Sequence, residues 1–81
     1  MLAKIYVTLK NGVLDPQGKA VQHSLESLGY REVKDVRLGK YMEVQIDSMN
    51  RDEAQARVSE MCEKLLSNPV IEDYRFEIYA E

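Results

Sequence analysis

Three kinds of side chain in this 81-residue sequence could do chemistry: one histidine, one cysteine and several carboxylates. His23 could act as a general base, yet no second histidine and no serine elbow accompany it. A catalytic thiolate needs an exposed, electropositive setting, whereas Cys62 falls within an apolar helical stripe. The sequence therefore favours a surface histidine and a thiol packed in the core over a nucleophilic site.

Metal and phosphate sites are no better supported. One histidine and one cysteine exclude a soft-ligand metal site within a single chain, and the adjacent acidic pairs at 52–53 and 72–73 point in diverging directions. Gly12 and Gly18 flank a helix start without a P-loop or dinucleotide fingerprint. Asp15 would also compete with an anion for that helix N-terminus. Residue chemistry alone therefore predicts an interaction or regulatory module without a catalytic site of its own.

Composition narrows the class of protein further. Acidic side chains number 14 against 11 basic ones, the net charge is −3, and the basic residues are scattered. The phosphate neutralisation that drives nucleic-acid binding is therefore missing. No apolar run approaches the roughly 20 residues of a membrane span, Met1–Lys10 contains no signal peptide, and a lone cysteine suits a reducing compartment. We expect a single cytoplasmic domain over residues 1–81 that binds neither nucleic acid nor membrane.

The elements that would position these side chains follow from hydrophobic periodicity. Apolar residues at every second position of Ala3–Leu9 predict a strand with one buried face. Asp15-Pro16 predicts the start of a helix, and Gly29 predicts its end. The apolar stripe of this helix contains Val21, Leu25 and Leu28.

The second half of the chain predicts a hairpin, a helix and a strand. The hairpin covers Val33–Ile46 and turns at Gly39-Lys40. The second helix begins at Asn50, with Glu53 completing a capping box. Its stripe contains Ala54, Val58, Met61, Cys62, Leu65 and Leu66. A last strand places Tyr74, Phe76 and Ile78 on its buried face.

The order of elements, β-α-β-β-α-β, predicts an α+β fold of the ferredoxin-like kind. Four antiparallel strands would form one sheet, with two helices covering one of its faces. The open face would carry a mixed polar and aromatic surface of Tyr6, Thr8, Glu43, Gln45, Arg75 and Glu77. Small domains of this kind often bury an open face or a sheet edge against another subunit, so we expect an oligomer.

Three blocks of residues carry a more specific signal. The first is Leu14–Gly18, followed by Ala20-Val21 and closing at Leu28-Gly29; the second is 36–43, and the third is 61–74. Together, in order and over nearly the whole chain, they resemble the PurS family, the small subunit of phosphoribosylformylglycinamidine (FGAM) synthase.

The resemblance implies a non-catalytic bridging subunit in purine biosynthesis. In the split enzyme of bacteria and archaea, the glutaminase subunit PurQ releases ammonia from glutamine, and the synthetase subunit PurL uses ATP and Mg²⁺ to activate formylglycinamide ribonucleotide. PurS forms a homodimer or a dimer of dimers and joins the two so that ammonia can pass between them. No cofactor is then expected on this chain, which would be a required part of a carbon–nitrogen ligase and no enzyme by itself.

Contacts with those partners are expected at two turns. The helix start offers Asp15 and Gln17, and the hairpin offers Arg37, Lys40 and Tyr41. An alternative stays open at this point, because a regulatory dimer that senses a small metabolite at its interface would have the same fold and oligomeric state. Only binding data would separate that alternative from a bridging subunit.

Overall fold

The computed structural model of the chain describes residues 1–47 and 49–80. They form three strands and two α-helices, and a π-helical turn continues the second helix. In chain order these are β1 Leu2–Leu9, α1 Pro16–Ser27, β2 Gly39–Gln45, α2 Arg51–Met61, the π turn Cys62–Leu66 and β3 Glu72–Tyr79.

The strands form one antiparallel sheet in the order β2-β1-β3. Alternate residues of β1 point into the core, where Ile5 and Val7 are fully buried, and Ile78 of β3 lies beside them. Val58 of α2 and Cys62 of the π turn close this core from the same side. The predicted buried faces of the first and last strands are therefore confirmed, as is a core position for the thiol.

Both helices begin at the predicted caps. The Asp15 side chain accepts a hydrogen bond from the Gly18 N–H at 2.9 Å, and the Asn50 side chain accepts one from the Glu53 N–H at 2.8 Å. Gly29 adopts φ +99° just beyond α1, a left-handed conformation that glycine adopts without steric cost. These short-range signals predicted both helix starts and the end of α1 correctly.

The π turn changes which residues of the predicted apolar stripe on the second helix are buried. Ala54, Val58 and Cys62 are fully buried, but the Leu65 side chain is 82% exposed. The Ser67 N–H donates to the Cys62 carbonyl at 3.0 Å, which widens the last turn from four residues to five. The wider turn rotates Leu65 away from the core, so its predicted core position is wrong.

The structure does not confirm the four-stranded sheet or its hairpin. Gly39 and Lys40 are the first residues of β2 and pair with Thr8 and Val7. A two-residue hairpin turn requires positive φ angles, and among the described residues only glycines 12 and 29 have them. The sheet described here therefore has three strands, and residues 33–38 continue outward from β2 without a strand partner.

Among the described residues, only those of α2 and its π turn cover the sheet. The core cluster of the described residues draws on β1, α2, the π turn and β3, and contains no residue of α1. The described chain is elongated, with extents of 49 × 27 × 14 Å and a radius of gyration of 16.1 Å, against about 12 Å for a compact domain of this length. One helix, instead of the predicted two, therefore covers this face of the described sheet, because α1 lies away from it.

Candidate interaction surface

The sheet face opposite α2 carries paired tyrosines and charged side chains. Tyr6 and Tyr41 lie opposite each other in the sheet, and their ring centroids are 5.1 Å apart. The Arg75 guanidinium lies 3.9 Å from the centre of the Tyr6 ring, and the Lys4 ammonium lies 4.8 Å from that of Tyr79. Such cation–π contacts hold the flexible cations in place. We call this surface the open face; it also contains Glu43 and Glu77.

Hydrogen bonds between tyrosines and carboxylates shift pKa values on the open face. The Tyr41 hydroxyl donates to Glu43 at 2.7 Å, which raises the pKa of Tyr41 to about 12. Tyr79 donates to Glu77 at 3.1 Å, and this bond raises the pKa of Tyr79. Bonds from the Tyr6 and Tyr79 hydroxyls lower the pKa of Glu77. The tyrosines are thus protonated donors at neutral pH, suited to polar recognition and not to nucleophilic attack.

Asp15 joins the start of α1 to the segment that precedes β2. One of its carboxylate oxygens caps Gly18, and the other accepts a hydrogen bond from the Leu38 N–H at 3.0 Å. The bonds from Gly18 and then Leu38 lower the pKa of Asp15. The carboxylate predicted to meet a partner is therefore occupied by hydrogen bonds within its own chain.

The five residues predicted as partner contacts lie around three neighbouring shallow cavities at one end of the sheet. Asp15, Gln17 and Lys40 line a cavity of about 210 Å³. Asp15 also lines a second cavity, of about 370 Å³, together with Arg37. Lys40 also lines a third cavity, of about 390 Å³, which includes Tyr41 and reaches the open face. The fold thus brings two turns that are distant in sequence onto one surface, which we call the sheet-end surface.

Charge on the sheet-end surface is partly compensated by ion pairs. The Lys40 ammonium lies 3.7 Å from the carboxylate of Glu72, whose side chain is only 13% exposed and also accepts a hydrogen bond from the Asn68 N–H at 2.6 Å. Lys40 itself is largely exposed. Its ammonium can therefore approach an acidic partner while its carboxylate neighbour stays fixed.

Groups suited to catalysis are not gathered at this surface. His23 is exposed on α1, as predicted, and burial raises the pKa of the Cys62 thiol, which makes it a poor nucleophile at neutral pH. Among residues 1–47 and 49–80, no three histidine, cysteine or acidic side chains cluster as metal ligands would. In the same residues, no helix is long and apolar enough to span a membrane.

Sequence reasoning overlooked some members of these surfaces. Tyr79 belongs to the open face because it continues the alternation of Arg75 and Glu77 along β3, and extending that alternation by two residues would have found it. Leu65 lies outside both surfaces, and nothing in the helical periodicity predicts the π turn that exposes it.

A small α+β chain with an open polar sheet face and a helix away from the sheet is suited to binding other subunits. The family model of PurS, phosphoribosylformylglycinamidine (FGAM) synthase, matches residues 2–80. The chain is 63% identical over 75 residues to the PurS subunit of Bacillus subtilis, covering 93% of this chain and 88% of the relative. It is 46% identical over 74 residues to that of Archaeoglobus fulgidus, covering 91% and 92%. The chain belongs to the PurS family.

Solved structures agree in fold. The B. subtilis PurS structure matches with a TM-score of 0.86 at 59% identity and covers 98% of both chains. The structure of PurLQS from Thermotoga maritima matches with a TM-score of 0.81 at 33% identity, covering 95% of this chain and 96% of the other. The protein is thus one subunit of FGAM synthase, a ligase complex, and the subunit alone is not the catalyst.

The double hydrogen bond of Asp15 gives a prediction for stability against pH. Because its pKa is lowered in the folded chain, the carboxylate stabilises the fold above its unfolded pKa of about 3.9, and this stabilisation disappears as pH falls through the folded pKa. Asp15→Asn keeps at most one acceptor oxygen, so we expect it to be less stable than the parent protein at pH 7. The difference in stability between the two should shrink as the pH is lowered below about 3.9. The free energy of unfolding in urea, measured for both proteins from pH 7 downward, checks this, and a difference independent of pH would contradict it.

Proposed function

We propose that this chain is the bridging subunit of FGAM synthase, which joins the glutaminase subunit PurQ to the synthetase subunit PurL. The observation that carries the proposal is its match, over nearly its whole length, to a chain of the PurLQS structure from T. maritima. In this proposal ATP and Mg²⁺ are used by the complex, and this chain supplies contact surfaces in the cytoplasm.

A bridge has a clear physical purpose in this reaction. Ammonia released into water is diluted and largely protonated at neutral pH, so it reacts poorly with the activated amide. Holding the glutaminase and synthetase sites in one assembly raises the effective concentration of ammonia at the second site. A subunit can provide this through docking alone, which suits a chain whose tyrosines are held as protonated donors.

The sheet-end surface is the contact that we propose for the larger subunits. Gln17, Arg37 and Tyr41 are exposed there, and the Lys40 ammonium is accessible beside the fixed Glu72 carboxylate. Arg37 and Lys40 are not required by the local backbone, since β2 runs through Lys40 as a regular strand. We assign Asp15 a positioning role at this surface, because both of its oxygens accept hydrogen bonds within the chain.

Self-association is part of the same proposal, as a homodimer or a dimer of dimers. The stripe of α1 is not buried in the single chain: Val21 is 39% exposed and Leu28 is 73% exposed. Burying a valine or leucine side chain is worth about 1.5–3 kcal/mol. An amphipathic helix that leaves this much apolar surface in water gains stability from a second copy.

Reconstitution tests the proposal. PurL and PurQ from the same organism would be assayed for FGAM formation with glutamine or with ammonium as nitrogen source, with and without this chain. We expect the chain to raise the glutamine-dependent rate by at least about tenfold and to leave the ammonia-dependent rate unchanged. If it changes neither rate nor assembly, the bridging function is wrong and a metabolite-sensing dimer becomes the better hypothesis.

A further inference from the structure

We propose that Asn11 is a site of spontaneous chemical modification, at which the side-chain amide becomes a carboxylate by reaction with the backbone nitrogen of Gly12. The sequence contains three asparagines, Asn11, Asn50 and Asn68, and the structure leaves the reacting groups free at the first of them. The reaction itself is independent of the proposed function. Its effect on partner binding rests on that function, because the new charge lies at the sheet-end surface.

The reaction needs the asparagine side chain, the next backbone nitrogen and water. The Gly12 nitrogen loses its proton and forms a bond to the Asn11 Cγ. The bond between Cγ and Nδ2 breaks, and the amide nitrogen leaves with that proton as ammonia, so that a cyclic imide remains. Water then adds to either carbonyl group of the ring and opens it. The product is an aspartate or an isoaspartate, in which the main chain continues through the former side chain.

The turn after β1 leaves both reacting groups accessible. The Val13 N–H donates to the Lys10 carbonyl at 3.1 Å, so Asn11 and Gly12 occupy the central positions of a β-turn. Both residues are exposed. Within the described part of the chain, neither the Asn11 side chain nor the Gly12 N–H makes a hydrogen bond. The nucleophile and the amide that it attacks are therefore not held by competing bonds.

Glycine at position 12 removes the steric barrier to the attack. Gly12 has a φ of +87°, and a Cβ built on it would meet nothing within 4 Å beyond its chain neighbours. Packing therefore does not oppose a rotation of the peptide between Asn11 and Gly12. Because glycine populates positive and negative φ about equally, its nitrogen can turn toward the Asn11 Cγ without strain from a side chain.

The other two asparagines are protected from the same reaction. The Asn50 side chain accepts a hydrogen bond from the Glu53 N–H at 2.8 Å and donates one to the Glu53 carboxylate at 3.0 Å, which holds its amide at the start of α2. Asn68 is followed by Pro69, whose nitrogen carries no hydrogen and cannot form the imide. The chain thus contains two internal controls for the modification.

The position of Asn11 gives the modification a consequence for binding. Asn11 lines the cavity of about 370 Å³ at the sheet-end surface, together with Lys10, Lys19 and Arg37. The two lysines are already paired with carboxylates, at 3.6 Å and 3.9 Å, whereas Arg37 makes no ion pair among the described residues. A carboxylate at position 11 therefore weakens the attraction of Arg37 for an acidic group of a partner.

Ageing of the pure, folded protein tests the modification. The parent protein and Asn11→Gln are incubated in mildly alkaline buffer, which favours loss of the backbone proton, and their peptides are analysed by mass spectrometry. Isoaspartate is detected by enzymatic methylation. We expect conversion at position 11 in several-fold excess over position 50, and none at position 68. Asn11→Gln should resist conversion at position 11, because its longer side chain must close a larger ring. Equal conversion at positions 11 and 50, or none at position 11, overturns the proposal.

Assembly with PurL and PurQ tests the consequence for binding. Asn11→Asp supplies the carboxylate without ageing. Asn50→Asp is the matched control, because it adds the same charge at the other end of the sheet, where aspartate also caps a helix. We expect Asn11→Asp to raise the dissociation constant several-fold and Asn50→Asp to leave it unchanged.

The outcomes separate the reaction, its effect and the proposed function. If Asn11→Asp binds as tightly as the parent protein, the effect on binding is wrong and the reaction at Asn11 stands. If both variants bind equally weakly, the effect belongs to net charge and not to position 11. If the parent protein itself does not bind PurL and PurQ, the proposed function is wrong, while mass spectrometry still decides the modification.

Discussion

Replacing Arg37 and Lys40 together with glutamate is expected to lower glutamine-dependent FGAM formation at least about tenfold, with the ammonia-dependent rate unchanged. Both residues are exposed and line two cavities of the sheet-end surface that are joined through Asp15. Like charges brought together across an interface cost several kcal/mol. The loss should therefore appear in the assembly with PurL and PurQ, measured by size-exclusion chromatography alongside both rates.

The same double variant should fold normally. The Lys40–Glu72 pair lies at 3.7 Å with the lysine largely exposed, and such surface pairs contribute about 0–1 kcal/mol. The free energy of unfolding, measured in urea, should therefore change by no more than about 1–2 kcal/mol.

Arg31 and Lys34 provide the matched control, since both are exposed, lie between α1 and β2 as Arg37 does, and line none of the three cavities. Their replacement by glutamate changes the net charge by the same amount. If this control loses activity equally, the effect belongs to net charge and not to the sheet-end surface. If neither double variant loses activity, the assignment of Arg37 and Lys40 as partner contacts is wrong.

The parts of the fold that sequence predicted well are those governed by neighbouring residues. Asp15 and Asn50 each accept a hydrogen bond from an N–H three residues ahead. The local sequence was therefore sufficient to predict where both helices begin. The alternation of apolar residues along β1 likewise predicts which face of the strand is buried, because each side chain points opposite to its neighbour.

The errors arose where a distant contact decides between two local possibilities. Gly39 suits a turn, but the structure places it in a strand against β1, where a Cβ would collide with the Val7 carbonyl oxygen. Leu65 fits the helical stripe until one extra residue in the π turn rotates it outward. Neither contact is visible in the residues that surround Gly39 or Leu65 in the sequence.

The candidate site also combines features that local sequence predicts with one that depends on a distant contact. Its five residues were chosen as side chains at two turns, and the fold does gather them at one end of the sheet. The bond from Gly18 to Asp15 follows from the predicted helix cap, but the second bond, from the Leu38 N–H, could not be predicted, because Leu38 is 23 residues away in sequence. Asp15, which was selected as a partner contact, also connects the start of α1 to the segment that precedes β2.

The largest loss of stability is expected from Ile5→Ala. Ile5 is fully buried in the central strand, where it pairs with Met42 of β2 on one side and Phe76 of β3 on the other. Removing three buried carbon atoms from such a site costs about 2–5 kcal/mol. A chain of this length has a total stability of about 4–12 kcal/mol, so the substitution removes a large share of it.

Urea unfolding at one fixed protein concentration measures this loss, because the stabilisation of a dimer by association rises with the logarithm of the protein concentration. Val70→Ala is the control, since Val70 is 82% exposed and its truncation should change the free energy of unfolding by less than about 0.5 kcal/mol. A small effect of Ile5→Ala would mean that β1 does not hold the sheet together. Because β1 is the only strand that pairs with both others in the described sheet, the open face and the sheet-end surface depend on it, and partner binding should weaken as Ile5→Ala unfolds.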